Sequence, residues 1–211
     1  MHPESIDKKT KYILEKIGGS FLTKDFYLAG GTALALQLGH RQSIDLDWFS
    51  GQDFLNEKIK KNLVLLGNFK LLSEEKDTIH GTLDEIRVSF FHYGYKLLFP
   101  LIKFENIDLA DERDIAAMKI DAISSRGSKK DFIDLYFLLK NYSLVELIDF
   151  FEKKYKNIEY NKLHILKSLV YFDDAENEPM SMMIRDIEWG KIKEVITDKV
   201  KKLLDDEGLL K

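Results

Sequence analysis

The chain has no cysteine among its 211 residues, so disulfides, zinc–thiolate sites and thiol catalysis are excluded. It has three prolines and no repeat or low-complexity stretch, so neither a linker-rich array nor a repeat protein fits. No run approaches the roughly twenty apolar residues that cross a bilayer, and no membrane partner is expected. The polar start, Met1-His2-Pro3-Glu4-Ser5, carries no secretory signal, which leaves the cytoplasm as the expected location. A net charge of −4 means that bulk charge does not drive nucleic-acid binding, and any RNA contact has to be local. What is present is an ordinary globular composition, 45% hydrophobic, enough for one large domain or two small ones.

The most informative stretch is Leu28-Ala29-Gly30-Gly31-Thr32-Ala33-Leu34-Ala35-Leu36, followed by Ser43-Ile44-Asp45-Leu46-Asp47-Trp48-Phe49. Phe26 to Ala29 is a short apolar run that ends in two glycines, as a buried strand does. Good helix formers follow Thr32, and Gly39 closes them. The unit reads strand, tight turn, helix. Glycines let a backbone approach a phosphate, and a helix start offers unpaired N–H groups. Thr32 can cap the helix or bind a phosphate oxygen.

Asp45 and Asp47 are two apart, so on a strand they project to one face, with Ile44, Leu46 and Trp48 on the other. Two adjacent carboxylates repel unless a cation lies between them, and hard oxygen ligands suit Mg²⁺. Alone, Gly-Gly-Thr is ordinarily a turn and Asp-x-Asp a solvated strand edge. Together, in this order, they suggest a site for a triphosphate with one or two Mg²⁺ ions.

A coarse pass divides the chain at residue 109. Helical spacing runs through Ile6, Tyr12, Ile13 and Ile17, and Phe54 to Leu66 reads as another helix. Phe69–Leu72, Thr78–Leu83 and Glu85–Phe91 read as strands, with a short fourth at Tyr95–Leu98. Beyond, the chain is mostly helical. The expected architecture is α+β: residues 1–109 form a mixed sheet with flanking helices, and 110–211 a helical bundle. In the bundle, Lys119 and Arg126 lie seven apart on one helix face and can neutralise a triphosphate. Gly127 ends that helix, and Ser128 is placed to cap the next. Asp131 and Asp134 follow on one face. Arg126, Lys129 and Lys130 form a basic trio able to meet an RNA backbone. The lone histidines His40 and His92 are read as ordinary, and Trp48, Phe49 and the phenylalanines as core.

Gly30-Gly31-Thr32, Leu38-Gly39-His40-Arg41, Ser43 and Asp45-Leu46-Asp47-Trp48-Phe49 resemble the signature of the AbiEii nucleotidyltransferases. So do Ala116-Ala117-Met118-Lys119 through Arg126 and Lys130-Asp131-Phe132-Ile133-Asp134-Leu135, and more weakly Leu169 to Glu176. Many members are toxins of type IV toxin–antitoxin or abortive-infection systems, within the DNA polymerase beta-like superfamily. The resemblance implies a nucleotidyltransferase fold, with the helical part lending Lys119 and Asp131 to the cleft. It implies that Gly30, Gly31, Thr32, Arg41, Ser43, Arg126 and Asp134 bind nucleotide, and that Asp45, Asp47, Lys119 and Asp131 are catalytic. Asp131 is preferred over Asp134 for the required aspartate, with Asp134 anchoring Lys119 or Arg126. The activity implied is NMP transfer from an NTP to an acceptor hydroxyl, an RNA such as a tRNA 3′ end, with Asp47 or Asp131 taking the proton. An antitoxin encoded nearby is the implied partner. Tyr171, Phe172, Asp173 and Asp174 either line the acceptor pocket or close a helix. Many superfamily members add a third carboxylate from a neighbouring strand; Ser89 or Arg87 stands there, so the metal set is either Asp45 and Asp47 alone, with Asp131 helping, or includes Asp84 or Glu85 from the start of that strand. Two other readings are a small-molecule nucleotidyltransferase of the aminoglycoside-modifying kind and a non-catalytic nucleotide-binding module.

Overall fold

The computed structural model describes residues 1–206 and 208. The chain divides into two compact units, Met1–Asp111 and Glu112–Lys211. The first unit holds a seven-stranded mixed sheet and three α-helices. Helix α1 spans Lys8–Gly18, α2 Gly30–Leu38 and α3 Asn56–Leu66. The strands are β1 Tyr27–Ala29, β2 Leu46–Ser50, β3 Phe69–Glu75, β4 Thr78–Leu83, β5 Ile86–His92, β6 Ile102–Phe104 and β7 Ile107–Leu109. Their order is β3-β4-β5-β2-β1-β7-β6. Strand β2 runs antiparallel to β1 and parallel to β5, and β1 runs parallel to β7.

Period-two alternation decides which face is core. Leu28, Leu46, Trp48, Ile79, Val88 and Phe90 are fully buried on one face. Trp48 stacks on Phe90 at 6.2 Å, and Phe26 meets Phe90 edge-on at 5.2 Å. Asp47, Phe49, Ser89, Phe91 and His80 alternate with them on the other, half-exposed face. Ile44 departs from the expectation: it is 55% exposed, because β2 begins only at Leu46. Tyr12 is likewise exposed, and Leu14 takes its place beside Ile13 and Ile17 in the core.

The β4–β5 register is set by its turn. Asp84 and Glu85 both adopt positive φ, 47° and 72°, the conformation of a two-residue primed turn. Counting back equally from both sides pairs His80 with Ser89, as observed. The same turn removes Asp84 and Glu85 from any shared role with Asp45 and Asp47. Asp84 accepts the Asn68 N–H at 2.9 Å, and Glu85 pairs with Lys9. The expected strand at Tyr95–Leu98 is absent, and the β6–β7 hairpin, missed in the sequence, extends the sheet instead. Its strands are three residues each, too short for alternation to register.

The second unit is helical: α4 Glu112–Ser125, α5 Lys129–Asn141, α6 Leu144–Lys154, α7 Lys162–Ser168, α8 Asp173–Glu176 and α9 Trp189–Asp206. Ile192, Ile196, Val200 and Leu203 give α9 one buried stripe at helical spacing. Ser143 and Glu146 close a reciprocal capping box at the start of α6. Lys154 and Asp114 form a fully buried ion pair at 2.7 Å between α6 and α4. Among the described residues, no helix is long and apolar enough to cross a membrane. Truncating the buried ring that joins β5 to β2, Phe90→Ala, is expected to cost about 3–5 kcal/mol in urea unfolding; a cost below about 1 kcal/mol would contradict the placement of this core.

Candidate nucleotide site

The first half of the site is a turn. Gly30 opens α2 with φ +68°, a left-handed conformation that favours glycine. A Cβ on Gly30 would sit 2.9 Å from the Asp47 Oδ2, and one on Gly31 would sit 2.6 Å from the Arg41 Nη2. The β1–α2 turn therefore lies directly against Asp47 and Arg41, with no room for side chains of its own. Strand pairing explains the approach, because Ala29 is the direct partner of Asp47.

Thr32 does not cap the helix with its side chain. Ala29 is the N-cap of α2 and makes no side-chain cap bond, while Thr32 is 1% exposed. Its hydroxyl bonds to the Ser43 hydroxyl at 2.8 Å and donates to the Asp45 carbonyl. Thr32 thus ties the helix start to the segment that carries Asp45. Arg41 is 4% exposed and donates from Nη1 to the Gln42 carbonyl at 3.1 Å. Gly31, Arg41 and Ser43 pack together, with Ser43 Oγ 3.4 Å from where a Gly31 Cβ would lie.

Asp45 lies just before β2 and Asp47 on it, both half-buried, while Leu46 between them is fully buried. Two carboxylates flanking a glycine turn are a hard-oxygen donor set, and the space that a Gly30 Cβ would fill lies at the Asp47 oxygen. These residues fit Mg²⁺ shared with phosphate oxygens. The third-carboxylate register is Ser89, the direct parallel partner of Asp47. Next across the sheet is His80, whose Nδ1 lies 3.2 Å from the Ser89 Oγ. Sequence reading passed over His80 and considered His40 and His92. His40 is fully buried, and His92 lies at the far end of β5. Only the turn count described above would have found His80.

Among the described residues, one group of three metal-capable side chains converges: Asp53, Asp77 and His92, with ligand atoms within 4.8 Å of one another. It is separate from the aspartate pair. His92 registers with Ser50, about 10 Å further along the strands than Asp47 and on the opposite face.

The second unit, taken by itself, holds a charge cluster. Lys119, 5% exposed, reaches Asp131 at 2.9 Å and Asp134 at 2.6 Å. Arg126 Nε meets Asp131 Oδ2 at 3.0 Å, and the Ser128 hydroxyl donates to the same oxygen at 2.6 Å. Ser128 is thus an Asp131 partner and makes no side-chain cap bond to the helix backbone. Burial opposes ionisation of Asp131, but Lys119 and Arg126 outweigh it and hold the carboxyl down at about 2. Both aspartates are fully buried, whereas the Arg126 side chain is 60% exposed. Arg126 borders two cavities. One, of about 500 Å³, includes Ser128, Lys130 and Glu178; the other, of about 340 Å³, includes His164, Lys167, Tyr171 and Asp174. Phe172 faces neither: it packs on Phe132 at 4.9 Å and on Trp189 at 5.8 Å. Lys129 leaves the basic trio. It is 5% exposed and donates to the carbonyls of Glu176 and Glu178.

These features define a nucleotidyltransferase architecture, a glycine turn against paired aspartates on a mixed sheet. Residues 12–203 match the family described as nucleotidyl transferase AbiEii toxin, type IV TA system, and the chain belongs to it. It is therefore a nucleotidyltransferase of a toxin family, with a nucleotide substrate and an antitoxin partner. An uncharacterised protein of Aquifex aeolicus is 41% identical over 209 residues, covering 95% of this chain and 98% of that one. The fold is similar to MenT4, a nucleotidyltransferase toxin of Mycobacterium tuberculosis, with a TM-score of 0.62 at 15% identity. That alignment covers 93% of this chain and 83% of MenT4. It is also similar to a Helicobacter pylori protein assigned as a nucleotidyltransferase, with a TM-score of 0.51 at 15% identity, over 96% and 99% of the two chains.

Two stability predictions follow from this geometry. Gly30→Ala forces a left-handed Cβ against Asp47 and is expected to cost at least about 1–2 kcal/mol in urea unfolding. Asp131→Asn leaves Lys119 and Arg126 short of a buried partner and is expected to cost about 3–5 kcal/mol at pH 7. Because the Asp131 pKa is depressed, its contribution is complete above about pH 4 and lost as pH falls toward 2. The gap between wild type and Asp131→Asn should therefore narrow across that window, measured by unfolding at a series of pH values. A gap independent of pH would contradict the assignment.

Proposed function

We propose that the protein moves an NMP from a Mg²⁺-bound NTP to a hydroxyl of an RNA acceptor, such as a tRNA 3′ end, as a toxin held in check by its antitoxin. The observation that carries this reading is the contact between the Gly30 turn and Asp47, with Asp45 two residues before it and tied through its carbonyl to Thr32 of the same turn's helix. Backbone N–H groups at the start of α2 bind phosphate oxygens, since a helix N-terminus favours anions. Thr32, Ser43 and Arg41 keep that turn and the Asp45 segment in register rather than touching substrate first. Asp45 and Asp47 would hold Mg²⁺, which when bound supplies charge neutralisation to the triphosphate. The acceptor oxygen bonds to the α-phosphorus, the bond to the pyrophosphate oxygen breaks, and pyrophosphate leaves with that electron pair.

Asp131 is a poor proton acceptor. A useful base has a pKa near the working pH, and Asp131 lies near 2 with three donors already on it. Its role is to hold Lys119 and Arg126. The Arg126 guanidinium, anchored on Asp131 through Nε and Nη2 and 60% exposed, then offers its positive charge to phosphate. Lys130 and Lys167, on the cavities that Arg126 borders, supply the local positive charge an RNA backbone needs in a chain of net charge −4. A small cationic acceptor would call for a mainly acidic lining, and these cavities mix Asp174 and Glu178 with Arg126, Lys130 and Lys167.

The test is incubation with Mg²⁺, each α-³²P NTP in turn and total cellular RNA, beside Asp45→Asn/Asp47→Asn. Label on a tRNA-sized band with wild type and none with the double variant is the expected result. Label on protein or a small molecule would replace the acceptor. Undiminished transfer by a folded double variant would refute the site.

A further inference from the structure

We propose that His80, oriented by Ser89, is the proton acceptor for the attacking hydroxyl; this rests on the transfer reaction proposed above. The argument begins with register. Asp47, Ser89 and His80 are successive direct partners across β2, β5 and β4, so all three side chains rise from one face. The position beside Asp47 on β5 holds a serine, which cannot replace a carboxylate as proton acceptor or as an anionic ligand. The next position holds an imidazole, the side chain most used for proton transfer at neutral pH.

The ring is already positioned. Nδ1 lies 3.2 Å from the Ser89 Oγ, so the imidazole leans over β5, toward the Asp47 strand. The Phe91 ring packs edge-on against it at 5.2 Å and 73°. With Nδ1–H donating to Ser89, Nε2 keeps its lone pair for the substrate. His80 is half-buried, and among the described residues Ser89 is its only hydrogen-bond partner. Two strand spacings, about 10 Å of backbone, separate His80 from Asp47, room for a hydroxyl and the phosphoryl group it attacks. In the step, the hydroxyl oxygen bonds to the α-phosphorus, its proton passes to His80 Nε2, and pyrophosphate departs. The imidazolium then returns the proton to solvent. This role suits a site where Asp84 and Glu85 are spent in the hairpin turn.

The test compares wild type, His80→Ala, Ser89→Ala and Asp45→Asn/Asp47→Asn in the labelled-NTP assay, with Mg-NTP affinity measured separately by titration. His80→Ala is expected to lose at least about a hundredfold in turnover, the low end for a general base. Its Mg-NTP affinity should stay within twofold, and added imidazole should restore at least tenfold. Ser89→Ala should fall between it and wild type. Near wild-type turnover in His80→Ala, or a loss that follows weakened Mg-NTP binding and is not restored by imidazole, would overturn the assignment. In both cases, wild-type transfer that disappears in the double aspartate variant would leave the underlying reaction standing. Absence of transfer and of Mg-NTP binding in wild type would instead remove that reaction, and this role with it.

Discussion

The site depends on one close approach: a left-handed glycine that follows β1 and sets the start of α2 against a carboxylate of β2. Gly30 has no Cβ because the Asp47 oxygen lies where one would go. Gly31 is bare because the buried Arg41 guanidinium lies against it. Thr32 completes the arrangement by bonding across to Ser43 and Asp45. Three consecutive residues thus fix the distance between a helix start, which favours anions, and a carboxylate pair, which favours cations. A metal-bound triphosphate needs both partners at that spacing.

The helical unit solves a different problem. It buries charged side chains in pairs of opposite sign. Lys119 and Arg126 offset Asp131 and Asp134, and Lys154 offsets Asp114 within the same unit. A buried pair of this kind contributes little net stability over an apolar core, but losing one partner is costly. Its consequence here is orientation. Asp131 receives Lys119, Arg126 and Ser128 at once, so the arginine is anchored through Nε and Nη2 while its side chain stays 60% exposed.

Much of this was legible in the chain, and the reasons are local. The Gly-Gly-Thr turn and the Asp-x-Asp pair stand out by spacing, because each lies within three consecutive residues, whereas the Lys119-to-Asp134 segment joins α4 to α5 and stands out through the family resemblance. The α+β class follows from periodicity, which long elements such as α9 display clearly. What escaped was set by distant pairing. The sequence offers Thr32 as a cap or a phosphate ligand, and it makes no cap bond because its hydroxyl turns to the Asp45 carbonyl. The sequence offers Lys129 as a surface cation, and the carbonyls at and just beyond the C-terminal end of α8 draw it inside. His80 gained its neighbours from a turn whose conformation, positive φ at Asp84 and Glu85, no composition rule for glycine or asparagine would predict. The β6–β7 hairpin was too short to show alternation.

The most direct test of the central claim is where a divalent ion binds when a nucleotide is present. A crystal grown with Mn²⁺ and a non-hydrolysable NTP analogue, measured at the manganese edge, locates the ion by its anomalous signal. The account predicts density between the Asp45 and Asp47 carboxylates, with the triphosphate on the N–H groups that follow Gly30. Density only at Asp53, Asp77 and His92, or a nucleotide bound away from the β1–α2 turn, would contradict it.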